Sequence, residues 1–455
     1  MSSSSLNHLE KRTAVSLASV FAFRMLGLFM LMPVLAIYGQ ELEGFSPLWV
    51  GLAIGAYGLT QALLQIPMGW LSDKFGRKRV IVAGLLMFAL GSLIAAMADS
   101  IYMMTLGRAL QGMGAIASAV LALAADLSRD EQRPKVMAVI GMCIGLSFAF
   151  AMLLGPMIAA SFGISGIFWL TTALALCGIV IVLTIVPTAV NRAPKGDTLA
   201  VFGDIKKLMK NPQLARLDLG VMLLHLTLTA VFVVLPSKLM SGGFAAEQHW
   251  QLYIPVLVLA FVLMVPIMII SIKKEKEKQA FIASIALLVA SLMTLTLAAN
   301  SVWGIGISML GYFIAFNFLE ATMPALVSRM APANQKGSAM GVFSSGQFFG
   351  AFLGGILGGY IASVESGQAV FAAAALIGVI WLAIAWGMQI PSRSKLISLL
   401  TEIDTEQQAE VLAARFVDLE GVIEATVVWE ESRTYLKVND KTFNLEQARQ
   451  VAGLN

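Results

Sequence analysis

Apolar residues run along this chain in blocks far longer than the short periodic patches of a soluble domain. A helix needs about 20 mostly apolar residues to cross the hydrocarbon core of a bilayer. Twelve stretches reach that length, at 13–38, 48–70, 79–98, 101–127, 136–161, 166–187, 214–239, 250–272, 279–298, 301–328, 337–363 and 367–389. The pattern predicts an all-α polytopic membrane protein, with spans 1 to 12 in that order. Beyond residue 390 the pattern changes. LISLLTEI (396–403), VIEATVVWE (422–430) and TYLKV (434–438) read as strands. Between the first two, residues 405–417 form a predicted helix with Ala409, Leu412 and Phe416 on one face and Asp404 as its cap. Asn444 is placed to cap a final helix.

The polar positions orient the spans. Twenty-three Lys and Arg, from Lys11 to Lys395, fall on one side of them; only Lys238 falls on the other, beside Glu41, Glu43, Asp99, Glu247 and Glu365. Positive charge stays on the cytoplasmic side, so both termini and the basic segment 188–213 are expected there. That segment splits the chain into six-span halves, 1–187 and 214–390, followed by a soluble domain at 395–455. The halves align at an offset of about 200 residues. SRDEQRPKVMAVIG (128–141) matches SRMAPANQKGSAMGVF (328–343), Trp49 matches Trp250, and Pro67 and Pro266 fall near the ends of matching spans. Internal repeats of this kind place a transport site between two halves.

Composition adds exclusions. The chain is 58% hydrophobic and 13% charged, against about 25% charged in soluble domains. The net charge of +4 follows membrane topology and implies no nucleic-acid partner. Cys143 and Cys177 lie in apolar runs and read as small buried hydrophobes; they form no metal motif. Nothing reads as a cleaved signal, a nucleophile triad or a phosphate loop, so no enzyme is expected.

The loop between spans 2 and 3 reads GWLSDKFGRKRVI (69–81). Gly69 and Gly76 permit close helix approach and a tight turn, and Arg77 stands four residues after Asp73. This resembles the signature loop of the major facilitator superfamily. The resemblance implies a cytoplasmic latch that favours the outward-open state, built from Gly69, Asp73, Gly76, Arg77 and Lys78 with Asp126, Arg129 and Arg133 nearby. A basic loop that only sets topology is the simpler alternative. The matching loop after span 8, SIKKEKEK (271–278), lacks Asp and Gly, so the latch is expected in the first half only.

Ionisable residues inside spans cost about 2.5–3.5 kcal/mol each at the helix centre and need a partner or a wet cavity. Arg24, Arg108, His225 and Glu320 lie there, and Asp126 closes span 4. TLGRALQGMGAIASA (105–119) resembles the span-4 motif of proton-coupled antiporters in the superfamily, through Arg108, Gln111, Gly112 and Gly114. The resemblance implies a coupling role for Arg108; a helix contact made by Gly112 and Gly114 is the alternative. Gly155 and Pro156 match part of the antiporter motif in span 5, whose trailing glycines are Ala159 and Ala160 here. Glu320, the deepest acid, is the expected proton carrier, with Asp126 as the alternative carrier and a fixed counter-ion to Arg24 or Arg108 as the other role for Glu320. His225 is a candidate contact for proton or substrate. Gln61, Gln65 and Asn317 are expected to line the cavity or to bond between helices.

The tail resembles a ferredoxin-like fold without its last strand, similar to small heavy-metal-associated domains. Those bind metal through C-x-x-C; no Cys or His follows His249, so no metal is expected. With this tail, and with FRMLGLFMLMPVL (23–35) in span 1, the chain resembles the YajR-type transporters of Gram-negative inner membranes. The resemblance implies a drug/proton antiporter of the inner membrane. It needs no cofactor beyond the proton gradient, takes a small-molecule substrate and protons as partners, and works as a monomer. Its tail is expected to self-associate or dock on the central linker. A uniporter or symporter for a polar solute, and a sensor signalling through the tail, are the rival readings.

Overall fold

A computed structural model describes residues 6–129, 132–188, 206–297, 301–332, 335–390, 395–401, 403, 405–429, 432–439 and 442–453. Long apolar helices dominate because buried peptide groups in lipid must bond within their own segment. Span 1 is α1 (His8–Phe29), followed by a broken stretch at Pro33 and a short α2 (Leu35–Tyr38). Spans 2 and 3 are α3 (Pro47–Phe75) and α4 (Arg77–Ala96). Span 4 is not one rod: α5 (Ile101–Met113) and α6 (Ala117–Asp126) are separated by a non-helical step at Gly114. A Cβ on Gly114 would stand 2.3 Å from the Gly84 carbonyl oxygen of α4, so the break is where two helices touch.

Spans 5 and 6 run together as α7 (Arg133–Thr184), reversed at Gly163, whose φ of 63° breaks the helical path. The second half holds α8 (Pro212–Ser241), α9 (His249–Lys273), α10 (Glu277–Leu297), α11 (Val302–Met330), α12 (Lys336–Val364) and α13 (Gly367–Trp386), which are spans 7 to 12. Among the described residues, eleven helices are long and apolar enough to cross a membrane; counting α7 as two crossings gives the twelve expected. The expected boundaries hold to a few residues, except that span 2 continues through Pro67 to Phe75.

Helices α1, α3, α4, α5 and α7 pack on one another, and so do α8 through α13. The two groups meet mainly where α3 crosses α12. There the backbones touch: a Cβ on Gly51 would lie 1.9 Å from the Gly355 carbonyl oxygen, and one on Gly359 would lie 2.6 Å from that of Pro47. This seam sits at the ends of the spans farthest from the GWLSDKFGRKRVI loop.

Cys177 is exposed and Cys143 half-buried, not both buried as expected. Cys177 shares its side of α7 with Leu176, Val180 and Leu183, all exposed, and such an apolar outer surface belongs to lipid.

The tail forms β1 (Lys395–Leu400), α14 (Glu406–Val417), β2 (Val422–Val428), β3 (Arg433–Val438) and α15 (Leu445–Val451). The strands are all antiparallel, in the order β1-β3-β2. Asp404 lies outside the described residues; Thr405 caps α14 by accepting from the Gln408 amide, and Asn444 caps α15. Leu399, Phe416, Leu436, Val438 and Ala448 make the core of the tail. Tyr435 and Lys437 alternate with Leu436 and Val438 along β3, so they point from the other face of the sheet, yet both are buried. Lys437 pairs with Glu424 at 3.0 Å and donates to the Ala331 carbonyl at the end of α11. A cation at a helix C-terminus is favourable for the free carbonyls there. The linker on which docking was expected lies largely outside the described residues, at 189–205.

Candidate functional site

The loop residues gather as their spacing suggests. Gly76 takes φ 97° between α3 and α4, a backbone that favours glycine. This turn brings Arg77 back over the end of α3. Its guanidinium reaches Asp73 at 2.9 Å, Asp126 at 3.0 Å and the Ser72 hydroxyl at 2.8 Å, and it is only 6% exposed. Gly69 is buried in the last turns of α3, where its carbonyl accepts from Ser72. Lys78 donates to the Val186 carbonyl at 2.5 Å, beyond the end of α7. Asp126 is thus bound to the loop through Arg77.

Arg129 goes elsewhere. It grips Glu10 through Nε at 2.8 Å, Nη2 at 2.9 Å and its backbone amide at 3.1 Å. Glu10 is 1% exposed and also closes the capping box at the start of α1 with Asn7. Sequence reading passes over Glu10 because it precedes the first apolar block. Arg133 opens α7.

The second half lacks the Asp and Gly of the loop motif but holds an ion pair between the matching helices. Glu277, at the start of α10, pairs with Arg329, near the end of α11, at 2.9 Å. In the first half Arg77, at the start of α4, pairs with Asp126, at the end of α6. Each tie joins the third span of its half to the fourth, but Arg329 aligns with Arg129 and not with Asp126, so a search for Asp and Gly could not find the second.

Inside the bundle, Arg24 and Arg108 are fully buried on either branch of one cluster. Arg24 donates to Gln61, which donates to Gln65 at 2.6 Å. Arg108 donates to Gln111 at 2.7 Å and to the Ala53 carbonyl at 3.3 Å, and Gln111 donates on to Ser92. Both guanidinium groups lie against the Tyr57 ring, 5.5 Å and 5.0 Å from its centroid, a favourable contact for a cation. Gln61 and Gln65, expected at a cavity or in bonds between helices, are buried in this network, where Gln61 accepts from Arg24 of α1. Gly112 and Gly155 sit at close helix contacts, against the Tyr57 and Met30 carbonyls; Pro156 lies within α7 beside the second of these.

Glu320 is not a partner of these arginines. It belongs to a second cluster, on α8, α11 and α12. The Gln347 amide donates to Glu320 at 3.1 Å and lies 2.9 Å from His225 Nε2. His225 Nδ1 faces the Val221 carbonyl at 3.2 Å. That carbonyl can only accept, so the ring proton is assigned to Nδ1, leaving Nε2 to accept from Gln347. Glu320 Oε2 stands 3.8 Å from the same Nε2 and has no hydrogen-bond partner. It is therefore the atom where a proton can sit without displacing a bond. The Glu320 side chain is 36% exposed, so it reaches space that Arg24 and Arg108 do not. Asn317 is half-buried one turn before it. One member escapes sequence reading. Gln347 looks like any polar residue in a glycine-rich helix. Asp218, half-buried near the start of α8 and two turns before His225, is also passed over, among the basic residues that precede this helix.

Among the described residues no group of His, Cys, Asp and Glu could hold a metal ion.

The family model of the Major Facilitator Superfamily matches residues 17–319 and 217–429. The inner membrane transport protein YajR of Escherichia coli is 43% identical over 96% of this chain and 97% of its own length. An uncharacterized transporter of Buchnera aphidicola is 36% identical over 76% of this chain and 89% of its own. The nucleoside transporter NupG, at 17% identity, superposes with a TM-score of 0.66 over 84% of this chain and all of its own, a likeness of fold.

Proposed function

The chain belongs to the major facilitator superfamily, and from that premise we propose that it is a proton-coupled exporter of a small molecule. Membrane transport is common to its relatives. Coupling to protons and the outward direction are our reading. The observation that carries it is the Glu320–Gln347–His225 cluster: a carboxyl and an imidazole share one amide inside a bundle otherwise built of apolar helices. Such a pair can take up and release a proton as solvent access changes. The Arg24–Arg108 cluster supplies fixed positive charge in the opposite half. When the halves rock, a carboxylate at Glu320 is drawn toward that charge and a protonated one is not, which links protonation to conformation. Both termini and the basic loops face the cytoplasm in this reading. The tail is a ferredoxin-like module that tunes the rate.

Inside-out vesicles carrying the protein, screened with candidate solutes and a pH-sensitive dye, test the reading. A transported solute should drive proton release. Glu320→Gln should abolish that release while solute binding persists. Normal release from the variant would exclude Glu320; Asp126 is held by Arg77, so Asp218 would become the candidate.

A further inference from the structure

Lys238 is the one basic residue on the far side of the spans from the basic loops. It is 8% exposed and lines a cavity of about 640 Å³ at the ends of the spans. This volume falls in the usual range of small-molecule pockets, about 300–1,000 Å³. The walls come from both groups of helices: Gln40 and Pro47 from the first, Ser237, Ser241 and Gln368 from the second. Lys238 Nζ also lies 5.9 Å from the centroid of the Phe371 ring, which closes one side. Ser366 caps α13 and sits in the same wall, so the amides that open this helix border the cavity. The first amides of a helix lack partners within it and carry partial positive charge.

From this cavity we infer a binding site for a small oxyanion, a carboxylate or a phosphate. A buried ammonium, the Ser237 and Ser366 hydroxyls, two glutamine amides and a helix N-terminus border the cavity with donors, while the Ser241 hydroxyl is taken by the Lys238 carbonyl. The apolar remainder of the wall strengthens their pull by excluding water. Among the described residues no acid lines the cavity. Since both groups of helices contribute, a bound anion bridges them on the face where Gly51 meets Gly355. Occupancy holds that face shut. Proton coupling at Glu320 plays no part in this site, and either can fail without the other.

The experiment measures the thermal stability of the full-length protein in nanodiscs of zwitterionic lipid, titrated with succinate or inorganic phosphate. Stability should rise saturably. Lys238→Gln should weaken the apparent affinity by about tenfold, as expected for loss of one charge-assisted bond, and Lys238→Arg should largely keep it. If Lys238→Gln does not fold, Gln368→Leu with Ser366→Ala carries the same test with the ammonium in place. A parallel arm replaces soluble anions with nanodiscs containing phosphatidylglycerol. A Lys238-dependent rise only there assigns the phosphate to a lipid headgroup and keeps the site. Equal stabilisation of wild type and every variant in both arms is the nonspecific salt effect and overturns the inference.

Discussion

Asp73 and Arg77 in the first half align with Lys273 and Glu277 in the second, with both signs reversed, whereas their fourth-span partners Asp126 and Arg329 do not align. The spacing is the same at the start: Asp73 and Arg77 are four apart, and so are Lys273 and Glu277. Each tie joins the third helix of its half to the fourth. Both partners of Glu277–Arg329 are 15% exposed, so the pair is neither fully screened nor fully buried. Glu277→Arg should destabilise the purified protein by about 1–2 kcal/mol, and Glu277→Arg with Arg329→Glu should recover most of that in thermal unfolding. Failure of the double variant to recover would mean the pair is incidental. Asp73→Asn should weaken the hold on Arg77 and the outward-open state with it. Labelling of a cysteine reached only from the far face should then fall, and unchanged labelling would reduce the loop to a topology signal. The first tie was legible because its motif is contiguous, Gly–Asp–Gly–Arg within nine residues. The Glu10–Arg129 and Glu277–Arg329 ties were not, because their partners are 119 and 52 residues apart and no local pattern links them. For the same reason Glu320 could be picked out as a lone acid but not assigned its partners.

At the level of helices, hydrophobic length gave twelve crossings to within a few residues. It gave no hint that span 4 breaks at Gly114, since an apolar run looks the same whether or not its backbone bonds continue. The seam between α3 and α12 was equally hidden. Gly51, Gly55 and Gly58 are spaced for one face of a helix, but their partners on α12 lie some 300 residues away. Filling this seam should hurt in a specific way. Gly51→Val places side-chain atoms where the Gly355 carbonyl now sits, and overpacking of this kind costs about 1–3 kcal/mol. The cost falls on the conformation in which α3 and α12 touch. In a background lacking Cys143 and Cys177, a cysteine at Gln40 should therefore label several-fold faster when Gly51→Val is present. An unchanged rate would show that the seam does not gate the cavity beside it.

Over the whole molecule, the crossings form a complete bundle and the tail stands outside it, attached through Lys437 to the end of α11. We expect truncation after Pro391 to leave a folded, membrane-inserted protein with an altered rate. Loss of substrate binding in a well-folded truncation would make the tail part of the site. The Lys437–Glu424 pair is partly exposed at its acid end, 37%, so salt should weaken the attachment only modestly; exposed charges are screened over about 8 Å at physiological ionic strength. The central claim is that protonation at Glu320 shifts the balance between conformations, and it can be tested without knowing the substrate. Spin labels at Glu41 and Glu365, both exposed on the far face and one in each half, report the opening of that face by pulsed electron resonance. Between an acidic and a neutral buffer, the wild-type distance distribution should redistribute by at least about threefold in population ratio. Glu320→Gln should give the same distribution in both buffers. A wild type indifferent to pH, or a variant that responds as the wild type does, would contradict the account.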